Sequence, residues 1–281
     1  MKALAFYHGP QRVIEMANAF ARGCARHGVP CDLRCAEPFD GNVENVNAVW
    51  MYGLGSTKAV FDSYADKALR IIGDVGYWRG SRDIDLPERK MRIALDAQQP
   101  DKHLRLRKHP VDRFMALQIV CEPAMLRGNN ILVCGHSVAQ AGKFGEPYGA
   151  WEICLVERLR KVSKRPIEMR EKPKNPAHDI PGTTRCSEHK IGDAVRKAWA
   201  VVFRSGNVGA DCILHGVPAF AESGPAKAYQ RLTLEQIDQA VPLSAQERLS
   251  ALSDLAYWQW SRNEIAAGML WDHLRVEGVL R

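Results

Sequence analysis

The stretch Ala200 to Ser223, AVVFRSGNVGADCILHGVPAFAES, decides the reading of this chain. The apolar run Ala200 to Phe203 stops at Arg204-Ser205-Gly206-Asn207. A helix-length segment continues through His215, and Gly216 leads into a second short run, Val217 to Ala221, that ends at Glu222. The spacing predicts a strand, a Gly-containing turn, a helix and a strand. The first turn of such a helix carries backbone N–H groups with no intrahelical partner, and the helix dipole adds to their preference for an anion such as phosphate. Any strand-turn-helix-strand of an α/β protein shares this pattern, so by itself it predicts an anion-competent turn and no particular ligand.

Upstream of this stretch the chain repeats the alternation. Asn130 to Cys134 (NILVC) reads as a strand, Gly135 to Pro147 as a loop rich in small residues, Tyr148 to Val162 as a helix and Pro166 to Arg170 as a strand. Lys172 to Thr184 is a polar, proline-bearing loop, and Ser187 to Trp199 is amphipathic. The first half follows the same rule, with predicted strands at Lys2 to Tyr7, Pro30 to Arg34, Asn47 to Tyr52, Arg70 to Gly73 and Arg92 to Leu95. Helices are predicted at Arg12 to His27, Thr57 to Leu69 and Pro110 to Cys121. Strands and helices in alternation imply parallel sheets covered by helices on both faces. The fold class expected is therefore α/β, two Rossmann-like domains facing a cleft. Residues 1–126 form the first, 127–240 the second, and 241–281 a helical tail packed on the body.

Three capping-box patterns mark helix starts in the tail: Thr233 with Gln236, Ser244 with Glu247, and Ser261 with Glu264. The aromatic group Tyr257, Trp258, Trp260 and Trp271 is expected to pack this tail, in preference to stacking on bases.

Composition bounds the function class. At 281 residues, 46% hydrophobic and 25% charged, the chain is long enough for a proper core and is neither disordered nor collagen-like. No apolar run reaches the roughly 20 residues of a membrane helix, and the N-terminal run reads as a first strand, not a secretory signal; a cytosolic protein is expected. The eight cysteines, at positions 24, 31, 35, 121, 134, 154, 186 and 212, show no CxxC pair, so reduced core residues are expected and no metal site. A formal charge of +7 is concentrated in two clusters, Arg89 to Lys108 and Arg158 to Lys174, which would attract polyanions or phosphorylated ligands.

Two Rossmann-like halves in tandem place a ligand between the carboxyl ends of two sheets. Here the residues Asn130 to Glu222 resemble the donor-binding domain of GT-B fold glycosyltransferases. The features are ILVCGHS after an apolar run, the basic strand end RPIEMREKPK, and SGNVGADCILHGVPAF, which is similar to an S/N-x-x-x-x-E/D-A-x-x-x-G-x-P element shared with nucleotide-sugar epimerases. The resemblance covers about a third of the chain closely and the N-terminal half by pattern only. It extends to phage-type glycosyltransferase-like proteins, some of which would modify hydroxymethylated bases in DNA.

The resemblance implies a metal-independent transfer of a sugar from a nucleotide-diphosphate donor, with the nucleotide sugar as co-substrate and no other cofactor. It implies that Ser205, Gly206, Asn207 and Val208 hold the diphosphate and that Arg170, Lys172 and Lys174 neutralise it. Asp211 would hold the ribose, where many relatives carry Glu, and His136 and Ser137 would face the donor. A basic acceptor face suggests double-stranded DNA bearing hydroxymethylated pyrimidines, with a soluble or lipid-linked glycan as the other choice.

An inverting transfer needs a base near the acceptor hydroxyl. Asp74, at the carboxyl end of a predicted strand, is the first choice, with His8 and Asp96 as rivals. Gly55, Ser56, Tyr77, Trp78 and Arg79 are the expected acceptor contacts. Each of these has a plainer reading as a turn or capping residue.

Competing motifs point elsewhere. Asp83-Ile84-Asp85 has the D-x-D form of metal-dependent glycosyltransferases but lies in a charged loop, and Gly53-Leu54-Gly55-Ser56-Thr57-Lys58 lacks the spacing of a phosphate loop. Gly135-His136-Ser137-Val138-Ala139 approximates the nucleophile elbow of α/β-hydrolases, with Asp254 and His273 downstream in the required order, but Ala141 to Pro147 is a poor continuation into a helix. A basic nucleic-acid-binding protein without catalytic activity would explain the charge but not the tandem α/β pattern.

Overall fold

Apolar and β-branched runs become strands, and the amphipathic segments between them become helices that cover the sheets. The computed structural model describes residues 1–78, 88–100, 103–104, 108–124, 128–172, 175 and 179–280. The chain divides into two compact units, residues 1–107 with 256–281, and residues 108–255.

The first unit begins with β1 (Ala3–Tyr7), α1 (Gln11–Arg26), β2 (Cys31–Cys35), β3 (Ala48–Tyr52), α2 (Lys58–Ser63), β4 (Leu69–Val75) and β5 (Met91–Leu95). β2, β1, β3 and β4 run parallel in that spatial order. α1 buries Val13, Met16, Ala17, Phe20 and Cys24, a three-to-four-residue spacing that makes one apolar stripe. Phe20 stacks on Trp50 of β3 with ring centroids 5.1 Å apart. Leu4, Phe6, Val49, Met51 and Ile72 form the core on another side with Val60 and Tyr64.

Two expectations change here. The helix predicted over Thr57 to Leu69 ends at Ser63, and Asp66 takes a left-handed φ of 59°, which a helix does not accept. β5 enters the sheet antiparallel to β4, with Asp74 opposite Arg92 and Ile71 opposite Leu95.

The second unit holds α3 (Asp112–Ala116), β6 (Asn130–Cys134), α4 (Val138–Lys143), α5 (Ala150–Val162), β7 (Ile167–Arg170), β8 (Thr184–Arg185), α6 (Ile191–Arg196), β9 (Ala198–Phe203), α7 (Val208–His215), β10 (Ala219–Ala221) and α8 (Pro225–Tyr229). A 3-10 helix, Leu234–Gln239, and α9 (Ala245–Tyr257) follow. Its five strands are all parallel in the order β10-β9-β6-β7-β8. Ile131, Val133, Ala200 and Val202 pack one face against Leu155, Val156 and Leu159 of α5. Leu132, Val201 and Phe203 pack the other with Val195 of α6 and Cys212 of α7.

The helix expected over Pro110 to Cys121 shortens to α3, and Gln118 at φ 52° lies beyond its end. The loop expected over Gly135 to Pro147 contains α4, started by a capping box in which Ser137 and Gln140 bond each other's backbone.

The tail then returns to the first unit. β11 (Gln259–Trp260) pairs antiparallel with β5, and α10 (Arg262–Ala266) and α11 (Met269–Val276) follow. An all-helical tail is thus corrected, because Gln259 and Trp260 supply the edge strand of the first sheet. All three expected capping positions are used, at the 3-10 helix, α9 and α10. Trp258, Trp260 and Trp271 are each at most 4% exposed, so they are core residues of this unit. The boundary inside the chain falls at 107/108, upstream of the expected 126/127.

Candidate functional site

In a parallel sheet the loops after each strand collect at the carboxyl edge, and a crevice opens where successive connections run in opposite directions. In the second unit β6 connects outward to β7 on one side while β9 lies on its other side, so the reversal falls between β6 and β9. The loop Gly135-His136-Ser137 follows β6, Arg204 to Asn207 follows β9, and Glu222 to Gly224 follows β10. The deciding stretch of sequence therefore sits at the reversal.

α7 starts at Val208 after Asn207, whose side chain makes no cap bond to the helix. Close packing fixes the helix. A Cβ at Gly209 would lie 2.8 Å from the backbone nitrogen of Ala226 and 3.3 Å from Phe203, so only glycine lets α7 approach α8 and β9 this closely. At the other end Gly216 adopts φ 66°, and the buried guanidinium of Arg248 donates to the carbonyls of Ile213 (2.9 Å) and Leu214. A cation at the carbonyl end complements the dipole and leaves its amino end facing the loops.

The neighbouring loops tie together through side chains. Lys172, after β7, donates from Nζ to Oε1 of Gln140, the residue that closes the capping box on Ser137. Arg204 donates to Glu222 (2.8 Å) and Glu146 (2.7 Å) and lies over the ring of Phe144 at 3.7 Å. Trp151 donates to the other oxygen of Glu222 at 2.8 Å. The carboxyl edge is therefore a connected polar network containing residues that sequence reasoning missed: Glu146, Trp151 and Glu152 on α5 and its approach. Their signal was weak: Glu146 and Trp151 lie 58 and 71 residues before the Arg204 and Glu222 they contact, and Glu152 meets the backbone of His136 from a different element.

His136 is buried, its backbone N–H donates to Oε1 of Glu152 at 2.7 Å, and its Nδ1 lies 3.5 Å from the same oxygen. Asn175 donates to its carbonyl at 2.9 Å. Burial holds the imidazole below its ordinary value; Glu152 opposes this, and Arg204 adds to it. The ring is consequently neutral at pH 7. His136 Nε2 and Glu152 Oε2 are buried polar atoms with no partner among the described residues.

Asp211, one turn into α7, is half-buried and has no hydrogen-bond or ion-pair partner among the described residues. Burial pushes its carboxyl up to about 6, against the pull of Arg196. Arg196 itself is spent on Glu122 (3.0 Å) and Asp193 (2.8 Å).

Several predicted residues have other duties. Arg170 sends its guanidinium to the carbonyls of Glu188 and His189 (2.8 Å), so it clamps the end of β7 to the segment before α6 and is not turned to a phosphate. Lys174 lies outside the described residues. Ser205, Gly206 and Val208 are in the turn and first helical position, as the sequence implied.

In the first unit, Asp74 is held by Arg92 at 2.7 Å, its cross-strand partner, and caps the Val75 N–H at 2.7 Å, which makes it a structural ion pair and a poor base. Asp96 is removed from the site altogether. Because β5 is antiparallel, its last residue falls beside the first residues of β4, where Asp96 accepts from Arg70 at 2.9 Å, on the edge opposite the one that carries His8. His8 follows β1 with Nε2 3.5 Å from the carbonyl of Tyr52. Gly55 and Ser56 belong to the turn after β3, which Thr57 closes by donating to Gly53 at 2.5 Å. Tyr77 and Trp78 are buried, with the Tyr77 N–H donated to Gln259 at 2.7 Å, so they are packing residues and not an exposed acceptor platform. Arg79, Asp83 and Asp85 lie outside the described residues.

The hydrolase reading loses its geometry. Ser137 has an ordinary extended backbone, φ −88° and ψ 157°, and serves as an N-cap, while Asp254 accepts from His109 at 2.9 Å and from Tyr229 at 2.8 Å. The cysteines are unpaired; Cys24 and Cys212 are buried, whereas Cys35 and Cys154 are exposed, against the expectation of a wholly internal set. Among the described residues no helix is long and apolar enough to cross a membrane.

No protein-family model matches the chain, and no curated protein sequence does. Among solved structures, it is similar to the β-Kdo 2,7-transferase of KpsC from Thermosulfurimonas dismutans, with TM-score 0.52 and 12% identity over 96% of this chain and 99% of that one. It is also similar to the β-Kdo 2,4-transferase of the same protein, with TM-score 0.50 and 10% identity over 91% and 90% of the two chains. The fold is accordingly GT-B-like, two Rossmann-like units in one chain.

Proposed function

We propose that the chain is a glycosyltransferase whose second unit binds a nucleotide-linked sugar and whose first unit binds the acceptor. The observation that carries this reading is the assembly at the reversal of the second sheet: the amino end of α7 after Ser205-Gly206-Asn207, at the same sheet edge as Lys172 and the Ser137 turn. Its fold likeness to transferases that act on a sugar supports it.

In such a reaction an acceptor hydroxyl oxygen forms a bond to the anomeric carbon while the bond to the donor phosphate breaks. The leaving phosphate takes the electron pair, and a base takes the hydroxyl proton. Backbone N–H groups at α7 and the Lys172 ammonium would stabilise the charge that develops on the phosphate. These groups need no metal, so donor binding should persist in EDTA. Asp211 would accept from a ribose hydroxyl, and His8 is the remaining base in the first unit, since Asp74 and Asp96 are bound to arginines.

Calorimetric titration with UDP, UDP-glucose and CMP tests the donor site. Binding of at least one nucleotide is expected, weakened about tenfold, or roughly 1.4 kcal/mol, by Lys172→Ala or Asn207→Ala. The same titration giving no heat for any nucleotide would remove the reading. Duplex DNA, the acceptor that the basic surface suggests, is tested by gel shift at two salt concentrations; a DNA-directed enzyme shows a steep loss of affinity with salt.

A further inference from the structure

The first unit has its own reversal point, between β1 and β3, because β1 connects to β2 on one side and β3 lies on the other. A cavity of about 550 Å³ lies at the carboxyl ends of these strands, lined by Tyr52 at the end of β3, Val75 and Gly76 at the end of β4, and the first turns of α1. Its charge is lopsided. Arg12, Arg89, Lys90 and Arg262 line it with a single carboxylate, Glu15. Two of these cations are already neutralised, Arg262 by Glu15 and Lys90 by Glu264 at 2.7 Å. Arg12 and Arg89 have no acidic partner among the described residues, and the Nε of Arg89 is buried with no acceptor among them. A buried guanidinium nitrogen without an acceptor is costly, and the natural acceptor is an anion that arrives with a ligand.

From this geometry we infer that the cavity is a binding site for an acidic saccharide, the acceptor of the transfer, held through its carboxylate or phosphate by Arg89 and Arg12. Guanidinium groups match the two oxygens of either anion. The volume suits a mono- or disaccharide, within the usual few hundred to about 1,000 Å³ of small-molecule sites. Tyr52 offers a flat ring against which a sugar face packs, with Arg12 already 5.9 Å from its centroid. His8, whose ring touches the Tyr52 carbonyl, stands next to this cavity, where a hydroxyl of the bound sugar would need its base. The identification of the saccharide as acceptor rests on the proposed transferase function; the anion site itself does not.

Ligand-observed NMR and calorimetry on the full chain with glucuronate, glucose 6-phosphate and glucose test it. At least one of the two acidic sugars should bind tenfold or more tighter than glucose, weaken with salt, and lose about tenfold in both Arg89→Gln and Arg12→Gln. Arg12 is exposed and makes no described hydrogen bond, so the second variant reports even if the first does not fold. UDP or CMP affinity should be unchanged in both variants. Preference for glucuronate over glucose 6-phosphate identifies a carboxylate as the recognised group, and the reverse a phosphate. Equal binding of glucose, no binding of any sugar, unaltered affinity in both variants, or displacement of the bound acidic sugar by a short DNA duplex would each overturn the inference. Arg-dependent binding of an acidic sugar by a chain that binds no nucleotide would leave the anion site standing and remove the transferase reading.

Discussion

At the scale of single residues, charge placement separates structural from functional groups. Asp211 has its carboxyl raised to about 6, above its ordinary 3.8, by burial. Between those two values the native state keeps a proton that the unfolded chain has released, so this group's contribution to stability falls as pH rises from about 4 to 6 and stays low above that. Asp211→Asn is therefore expected to stabilise the ligand-free protein by up to about 3 kcal/mol at pH 7 and by almost nothing at pH 4. Denaturant unfolding at the two pH values checks this, and weaker nucleotide binding by the same variant is the expected accompaniment. Asp74 behaves in the opposite way. Its Arg92 partner is nearly buried, with a side chain 6% exposed, and also donates to Gln99 at 2.8 Å, so Asp74→Asn removes the charged member of a partly satisfied pair and should cost about 2 kcal/mol. Loss of activity in that variant should track loss of stability. His8→Ala should lower activity while the melting temperature stays nearly constant, and a large fall in melting temperature would show His8 to be structural.

At the scale of elements, α7 is a short helix held at both ends by others. Its eight residues supply little stability of their own, since helices below about 12 residues are marginal without tertiary support. Support comes from Gly209 against α8, and from Gly216 and Arg248 at its carbonyl end. Gly216→Ala places a Cβ 2.7 Å from Ala124 and in a left-handed conformation, so a loss of about 2 kcal/mol or more is expected in thermal unfolding. Arg248→Met takes the side-chain donor from the carbonyls of Ile213, which keeps the Gly216 N–H, and Leu214, and should cost a comparable amount. Deuterium exchange should show both variants loosening α7 first. Unchanged exchange there would mean that the helix is held by the sheet alone.

At the scale of the whole molecule, the last residues complete the first unit and do not form a separate appendage. Gln259 and Trp260 add the edge strand beside β5, and Trp258 and Trp271 are almost fully buried. Burying a large side chain of this kind contributes roughly 2 kcal/mol or more, so three tryptophans rival the total margin of many domains. Removing residues 258–281 should therefore abolish protection from deuterium exchange over β1 to β5, whereas the strands of the second unit keep theirs. Retained protection in the first unit would show the tail to be dispensable.

Local sequence was enough for the alternation of strands and helices, the capping boxes and the turn at Arg204 to Asn207, because these follow from short-range periodicity and from backbone groups within a few residues of one another. It could not determine strand order or direction. Arg92 to Leu95 reads the same whether it runs with β4 or against it, yet that choice moves Asp96 to the opposite edge and turns Asp74 into an ion-pair partner. Likewise Arg170 reads as a free cation until the fold brings the carbonyls of Glu188 and His189 to it, and Tyr77 and Trp78 read as exposed aromatics until the fold buries them and brings Gln259 to the Tyr77 N–H. Contacts between residues distant in sequence depend on the packing of the whole sheet, and only tertiary structure decides which charges are spent and which remain for a ligand.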